Sequence, residues 1–182
     1  MFETDGELQA VQALLDSSFA SAGEHLTGII SPERRLTAAE LCAYLTGVKH
    51  LVVSTVSATC EPRCSAVDGL FLHASLWFST SATLLKARHL ERRPALSAAH
   101  VIGDVGVFVH GLARVTCGAT DAAAALSHSW SDVYGSGTPE VWVSTPSDAR
   151  CVQIAATSLF TYAFSRDRFD ALIDARPDDA AH

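Results

Sequence analysis

Hydrophobic residues near the N-terminus recur every three or four positions, which is the spacing of one face of an α-helix. They are Leu8, Val11, Leu15 and Phe19. This pattern predicts a helix over about residues 5–22. After a loop that contains Gly28, Thr37 and Glu40 have the spacing of a capping box and predict a second helix that ends near Gly47.

The middle of the chain alternates short runs of β-branched and aromatic residues with turn residues, as β-strands do. The predicted strands cover about residues 50–57, 62–72, 75–80, 95–101 and 104–117. A basic helix over about residues 83–92 interrupts them and is stopped by Pro94. Gly111 lies within the last of these strands and predicts a bulge or a close backbone approach.

The C-terminal part of the chain predicts further helices and strands. In order, they are a helix at 121–134, a loop at 135–139, strands near 151–156 and 159–164, and a short amphipathic helix around Phe169, Leu172 and Ile173. No repeat or low-complexity linker divides the chain. We therefore predict a single domain over residues 1–182, with an N-terminal helical extension over about 1–48. The fold class is mainly β with flanking helices, as a barrel of six to seven mostly antiparallel strands.

Composition and charge narrow the function classes. The 182-residue chain is 48% hydrophobic, with a formal net charge of -7 and a pI of about 5.5. This balance argues against a dedicated nucleic-acid binder, which normally presents a basic face. The sequence shows no membrane-spanning stretch, no signal-peptide pattern and five cysteines without regular spacing. We therefore expect a cytoplasmic protein with reduced thiols and with no nucleic-acid or membrane partner.

The strand that ends in Ser79, Thr80 and Ser81 leads into the basic helix that carries Lys86. Hydroxyl groups and the free backbone N–H groups of a helix N-terminus attract anions, and the helix dipole adds to this attraction. Arg63 stands on a neighbouring strand, so these residues together suggest a site for a phosphorylated ligand. The alternative is an ordinary turn into a surface helix with solvated basic side chains, because Ser and Thr are common at helix N-termini.

Other kinds of chemistry have little support in the sequence. It contains no paired cysteine spacing of a zinc site, no Gly-x-Ser-x-Gly elbow, and no Walker or dinucleotide-binding motif. His89, His100 and His110 are candidates to meet in space and hold a metal ion or haem, but they lack a recognised ligand spacing. We therefore predict no metal site and leave the catalytic residues unassigned.

The sequence contains six segments whose order and spacing are those of a known superfamily. They are LVVSTV (51–56), EPRCSAVDGLF (61–71), LWFSTS (76–81), LLKARHLERRP (84–94), ALSAAHV (95–101) and VFVHGLARV (107–115). These segments resemble the pyridoxamine 5'-phosphate oxidase-like FMN-binding split-barrel superfamily, with its flavin and deazaflavin oxidoreductase relatives. The resemblance covers most of the chain from about Thr37 onward. It implies a split β-barrel and a homodimer with the cofactor in a cleft between two barrels.

In the flavin-binding members of that superfamily, an Arg, the residue five positions on, a strand-end Thr and a helix Lys contact the cofactor. The resemblance places these contacts at Arg63, Asp68, Thr80 and Lys86. The full predicted cofactor-binding set is Arg63, Ser65, Asp68, Ser79, Thr80, Ser81 and Lys86.

The chain departs from the oxidase itself in three ways, one of which is that the oxidase's C-terminal substrate-binding segment is not recognisable in it. Leu84 and Leu85 stand where a Ser-Arg pair is expected, and Asp68 stands where a basic residue is expected and would repel phosphate. The resemblance therefore implies an oxidoreductase that uses FMN or a deazaflavin on a small-molecule substrate other than pyridoxamine phosphate. One alternative is a non-catalytic barrel that holds a flavin, haem or another small ligand. Another is a split barrel that has lost its ligand.

Overall fold

Helices precede and flank a closed barrel of six strands. The computed structural model describes residues 3–117 and 148–174. The helices are α1 (Asp5–Ala20), α2 (Glu24–Ile29), α3 (Ala38–Tyr44), α4 (Leu85–Arg92) and α5 (Arg166–Asp174), with a 3-10 turn at Pro32–Arg34. The strands are β1 (Lys49–Val56), β2 (Pro62–Leu72), β3 (Ser75–Ser81), β4 (Ala95–Ile102), β5 (Val105–Cys117) and β6 (Ala149–Ala163). They close in the order β1-β2-β3-β6-β5-β4 with antiparallel neighbours, which confirms the predicted fold class. Among the described helices, none is long and apolar enough to cross a membrane.

The segment predicted as a loop between the first two helices contains α2 and the 3-10 turn. Helix α2 has only six residues, includes Gly28 and buries none of them, so the spacing of Leu26 and Ile29 is too short a pattern to predict a helix. Two arginines hold its C-terminal end instead. Arg34 Nη1 donates to the carbonyl of Ile29 at 2.7 Å, and Arg35 Nε donates to the carbonyl of Ile30 at 3.2 Å. Side chains of two residues after the helix therefore pair with carbonyls at its C-terminal end, which have no partner inside the helix.

The two strands predicted near 151–156 and 159–164 are a single strand, β6. Ser158 pairs with His110 and Ala156 pairs with Gly111, so Thr157 is the extra residue of a β-bulge and the ladder continues past it. The bulge expected at Gly111 is confirmed at this register shift. A Cβ at Gly111 would lie 2.3 Å from the carbonyl oxygen of Ala155, so the close approach requires glycine. The predicted helix at 121–134 and loop at 135–139 lie outside the described residues.

The core fills the inside of the barrel, because side chains alternate between its two faces. The most deeply buried of these side chains include Leu51, Val53, Phe78, Val107 and Ile154. Helix α1 covers the outside of β6, where the rings of Phe19 and Phe160 meet edge to face at 5.3 Å. Helix α4 packs against β1, β3 and β5 and buries Ala87 and Leu90, so it closes one end of the barrel.

At the end of the barrel that α4 covers, strands β2 and β3 separate from each other. The β2–β3 ladder stops at the pair Gly69 and Phe78. Beyond this pair, β2 stays paired with β1 as far as Pro62, and β3 stays paired with β6 as far as Ser81. The two strands therefore diverge, and their diverging ends carry the predicted cofactor-binding residues other than Lys86.

Candidate functional site

Strand alternation divides the predicted cofactor-binding residues between two faces of the barrel. The inner face carries Arg63, Ser65 and Thr80, and the outer face carries Asp68, Ser79 and Ser81. The register sets this division, since Arg63 pairs with the buried Thr55 whereas Asp68 pairs with the exposed His50. The structure therefore groups Arg63, Ser65 and Thr80 at the split and places Asp68 on the opposite side of β2.

Thr80 has a buried hydroxyl without a partner. The residue is 7% exposed, and its Oγ1 makes no hydrogen bond within the described part of the chain. Its neighbour on β6 is Arg150, whose Nε donates to Glu91 of α4 at 3.3 Å. A buried hydroxyl that lacks a partner costs free energy, and such groups are typical of sites completed by a water or a ligand.

Lys86 lies in the first turn of α4 and is half-buried. Burial lowers the pKa of its ammonium below the usual 10.5, because the charged form loses solvation. The described residues provide this ammonium with neither an ion pair nor a hydrogen bond. The N-cap residue Leu84 supplies no side-chain hydrogen bond, and the side chains of Leu84 and Leu85 are exposed. Within the described residues, the first turn of α4 therefore presents a cation without a counter-charge, beside backbone N–H groups that the N-cap side chain does not cap.

A contact between β1 and α4 supports this end of the barrel. The Oγ1 of the buried Thr55 and the Nδ1 of His89 are 3.1 Å apart. Lys86 is three residues before His89, so it lies on the same side of α4 as His89. That side faces β1, whose Thr55 pairs with Arg63. Sequence reasoning did not include Thr55 in the site, although its position continues the inward-facing run of β1.

Arg63 and Asp68 each have a partner of their own. Arg63 Nη2 lies 2.7 Å from Glu61 Oε2, and both side chains are more than half exposed. Exposed ion pairs contribute little to stability, so Arg63 can exchange Glu61 for an incoming anion at small cost. Asp68 Oδ1 lies 2.7 Å from His50 Nδ1 on the outer face of β2. The repulsion expected between Asp68 and a phosphate beside Arg63 does not follow from this geometry.

The outer-face serines have different roles. Ser81 Oγ accepts a hydrogen bond from the backbone N–H of Thr83 at 3.2 Å and lies 2.8 Å from its Oγ1, so it stabilises the turn into α4. Ser79 is half-buried on the same face as Trp77. Neither serine shares a face with Thr80.

The three candidate histidines do not meet. His89 contacts Thr55 at the α4 end, whereas His100 is buried inside the barrel with its Nδ1 2.9 Å from the carbonyl of His50. His110 lies on the outer face, 2.7 Å from Ser97 Oγ. Across residues 3–117 and 148–174 no group of three potential metal ligands occurs. The arrangement that these histidines would need for a shared metal or haem is therefore absent from the described part of the chain.

The residues at the α4 end of the barrel include several of the donor types that suit an anion. Two cations, a buried hydroxyl and the first turn of a helix lie at one end of the barrel: they are Lys86, Arg63, Thr80 and the N-terminus of α4. Charge-assisted hydrogen bonds from such donors are the usual means by which proteins hold phosphate.

Solved structures with this architecture define the class of fold as a split β-barrel. The chain is similar to a conserved hypothetical protein of Mycobacterium tuberculosis, with 20% identity over 74% of this chain and 89% of that one and a TM-score of 0.60. It is also similar to a haem storage protein of Vibrio cholerae, with 14% identity over 76% and 98% and a TM-score of 0.56. A third similar structure is an F420 reductase, with 18% identity over 64% and 93% and a TM-score of 0.53.

These likenesses confirm the predicted resemblance at the level of the fold. Neither a protein-family model nor a curated protein matches the chain. The activity of this protein therefore has to be inferred from the residues of the site.

Proposed function

We propose that this protein binds FMN, or a deazaflavin, through its phosphate at the α4 end of the barrel and uses it as an oxidoreductase. One observation carries the proposal: the half-buried ammonium of Lys86 has no partner among the described residues and lies in the uncapped first turn of α4. Removing a cation from water without an opposite charge is unfavourable, and a bound phosphate would supply that charge.

The neighbouring residues fit a phosphate in the same place. The hydroxyl of Thr80 would gain the hydrogen bond that it lacks, and the N–H groups of the first turn of α4 would bind the remaining oxygens. Arg63 would leave the exposed Glu61 to join them. Ser65, on the same inner face, adds a further hydroxyl.

The apolar ring system of such a cofactor also needs a surface. Leu84 and Leu85 are 46% and 68% exposed beside the proposed phosphate site, and apolar contact with a ring would remove them from water. We further propose that a second copy of the chain covers the outer face of β1 and β4, where Val52 and Val101 are exposed. A homodimer would enclose the cofactor between two barrels.

A bound flavin or deazaflavin supplies the redox chemistry, and the residues of this chain bind and orient it. For that reason the proposal requires no side-chain nucleophile. The same site also suits a second candidate function, a non-catalytic carrier, which the likeness to a haem storage protein favours.

The visible absorption spectrum of the purified full chain tests the proposal. Adding FMN, and separately a deazaflavin, should give an absorbance that stays with the protein through gel filtration, and a reduced nicotinamide should then bleach it repeatedly in the presence of an acceptor. Bound cofactor without turnover would support the carrier. Failure of both cofactors to bind would refute the proposed function.

A further inference from the structure

A second feature lies on the outside of the barrel, away from α4. It is a groove of about 390 Å³ between α2 and the outer faces of β5 and β6, and its walls are apolar. The lining residues are Leu26, Ile29, Ile30, Phe108, His110, Phe160, Tyr162 and Phe164. None of the residues proposed to hold phosphate contributes to it.

The floor of the groove is a continuous aromatic surface. The rings of Phe108 and Tyr162 are 5.9 Å apart, and those of Tyr162 and Phe164 are 4.8 Å apart. Tyr162 lies directly against the backbone of Gly106, where a Cβ would approach its ring to 2.6 Å. Phe164 is nevertheless 44% exposed. Exposed aromatic surface of this kind is typical of a binding site, because flat ligands can stack on it.

One side of the groove carries a fixed positive charge. The guanidinium of Arg34 lies 5.1 Å from the centre of the Phe164 ring, and its Nη1 donates to the carbonyl of Ile29 at 2.7 Å. The stacking and the hydrogen bond together hold the guanidinium at the rim, and its other N–H groups make no hydrogen bond within residues 3–117 and 148–174. Glu33, the nearest carboxylate in the sequence, is hydrogen-bonded to Ser31, which lowers its pKa, and the attraction of Arg34 and Arg35 lowers it further. The two guanidiniums and this one carboxylate together keep a net positive charge. The rim therefore complements a negative charge on a ligand that lies on Phe164.

We propose that this groove binds a small, flat aromatic anion, such as an aromatic carboxylate or sulfonate. Its ring system stacks on Phe108, Tyr162 and Phe164, and its acidic group faces Arg34. The apolar walls select the ring, and the guanidinium of Arg34 at the rim sets its orientation. This site is separate from the proposed cofactor site, so each can be tested without the other.

The probe for this proposal is 8-anilinonaphthalene-1-sulfonate, an aromatic sulfonate whose fluorescence rises in apolar surroundings. The folded full-length chain should bind it saturably at the groove, with an affinity there that Lys86→Ala leaves unchanged. Phe164→Ala should weaken binding by about tenfold or more, because it removes the exposed part of the aromatic floor without opening the core. Leu112→Ala is the matched control, since Leu112 is equally exposed on β5 but lies outside the groove.

A neutral probe with a similar ring system, N-phenyl-1-naphthylamine, separates the charge from the apolar contact. Arg34→Gln should weaken binding of the sulfonate by about three- to tenfold and leave the neutral amine unchanged. Equal binding to wild type and Phe164→Ala, or equal loss of both probes in Arg34→Gln, would overturn the proposal. The proposal would also fail if sedimentation showed that the wild type is a dimer that does not bind the probe and that Phe164→Ala is a monomer that does. The groove would then be a subunit interface.

Discussion

Replacing Lys86 by Ala should weaken FMN binding without unfolding the protein. The ammonium of Lys86 lies in the uncapped first turn of α4, and a phosphate there would receive a charge-assisted hydrogen bond from it. Such a bond contributes about 1.5–3 kcal/mol. Since about 1.4 kcal/mol corresponds to a tenfold change in affinity, the Kd for FMN should rise about 10- to 150-fold.

The same residue should have the opposite effect on the free protein. Its half-buried ammonium loses solvation and gains no partner among the described residues, so it destabilises the ligand-free fold. Lys86→Met keeps a side chain of similar length and removes the charge. We therefore expect Lys86→Met to raise the free energy of unfolding of the ligand-free protein while it weakens FMN binding. Opposite signs of this kind are typical of residues kept for function.

Arg88 provides the matched control, because it lies on the same helix and is exposed. Arg88→Ala removes the same charge from α4 but not from the proposed site. Isothermal titration calorimetry of each variant with FMN gives the Kd, and urea unfolding gives the free energy of unfolding. An unchanged Kd in Lys86→Ala would show that Lys86 does not contact the phosphate. Equal weakening in Arg88→Ala would also refute this contact, since a general electrostatic attraction would then account for the effect.

Three further predictions concern the fold. Burial lowers the pKa of His100 below its usual 6.5, so just below that pH the unfolded state takes up a proton that the folded state does not. The free energy of unfolding should therefore fall as the pH drops below 6.5. In urea unfolding, His100→Asn should lose this part of the pH dependence. Gly111→Ala would place a Cβ 2.3 Å from the carbonyl oxygen of Ala155, and it should cost at least about 1–3 kcal/mol by urea unfolding; full stability would contradict the bulge. Thr37→Ala removes the capping box with Glu40 and should cost about 1 kcal/mol by thermal unfolding, whereas Thr37→Ser should stay close to wild type.

Local patterns predicted much of the fold. The spacing of Val11, Leu15 and Phe19 predicted α1, and all three side chains are buried. Thr37 begins α3 with the expected capping box. Helix α2 could not be predicted in this way, because it has only six residues and buries none of them. Its position depends on arginines that follow it, which no periodic pattern reveals.

The site shows a similar division. Arg63 and Asp68 were joined by a motif, but they are an odd number of residues apart on one strand, and strand alternation alone places them on opposite faces. That part of the arrangement was available from the sequence. The contact between Thr55 and His89 was not, because it depends on how α4 closes the barrel against β1. The missing partner of Thr80 likewise became visible only once its burial was known.

The most direct test of phosphate binding at the α4 end compares FMN with riboflavin, which has the same ring system and lacks the phosphate. Calorimetric titration of the full chain with both compounds measures what the phosphate contributes. We expect FMN to bind at least about tenfold more tightly than riboflavin, and most of this difference to disappear in Lys86→Ala. Equal affinity for the two compounds would contradict this expectation, because the cations and N–H groups at the α4 end would then not hold a phosphate.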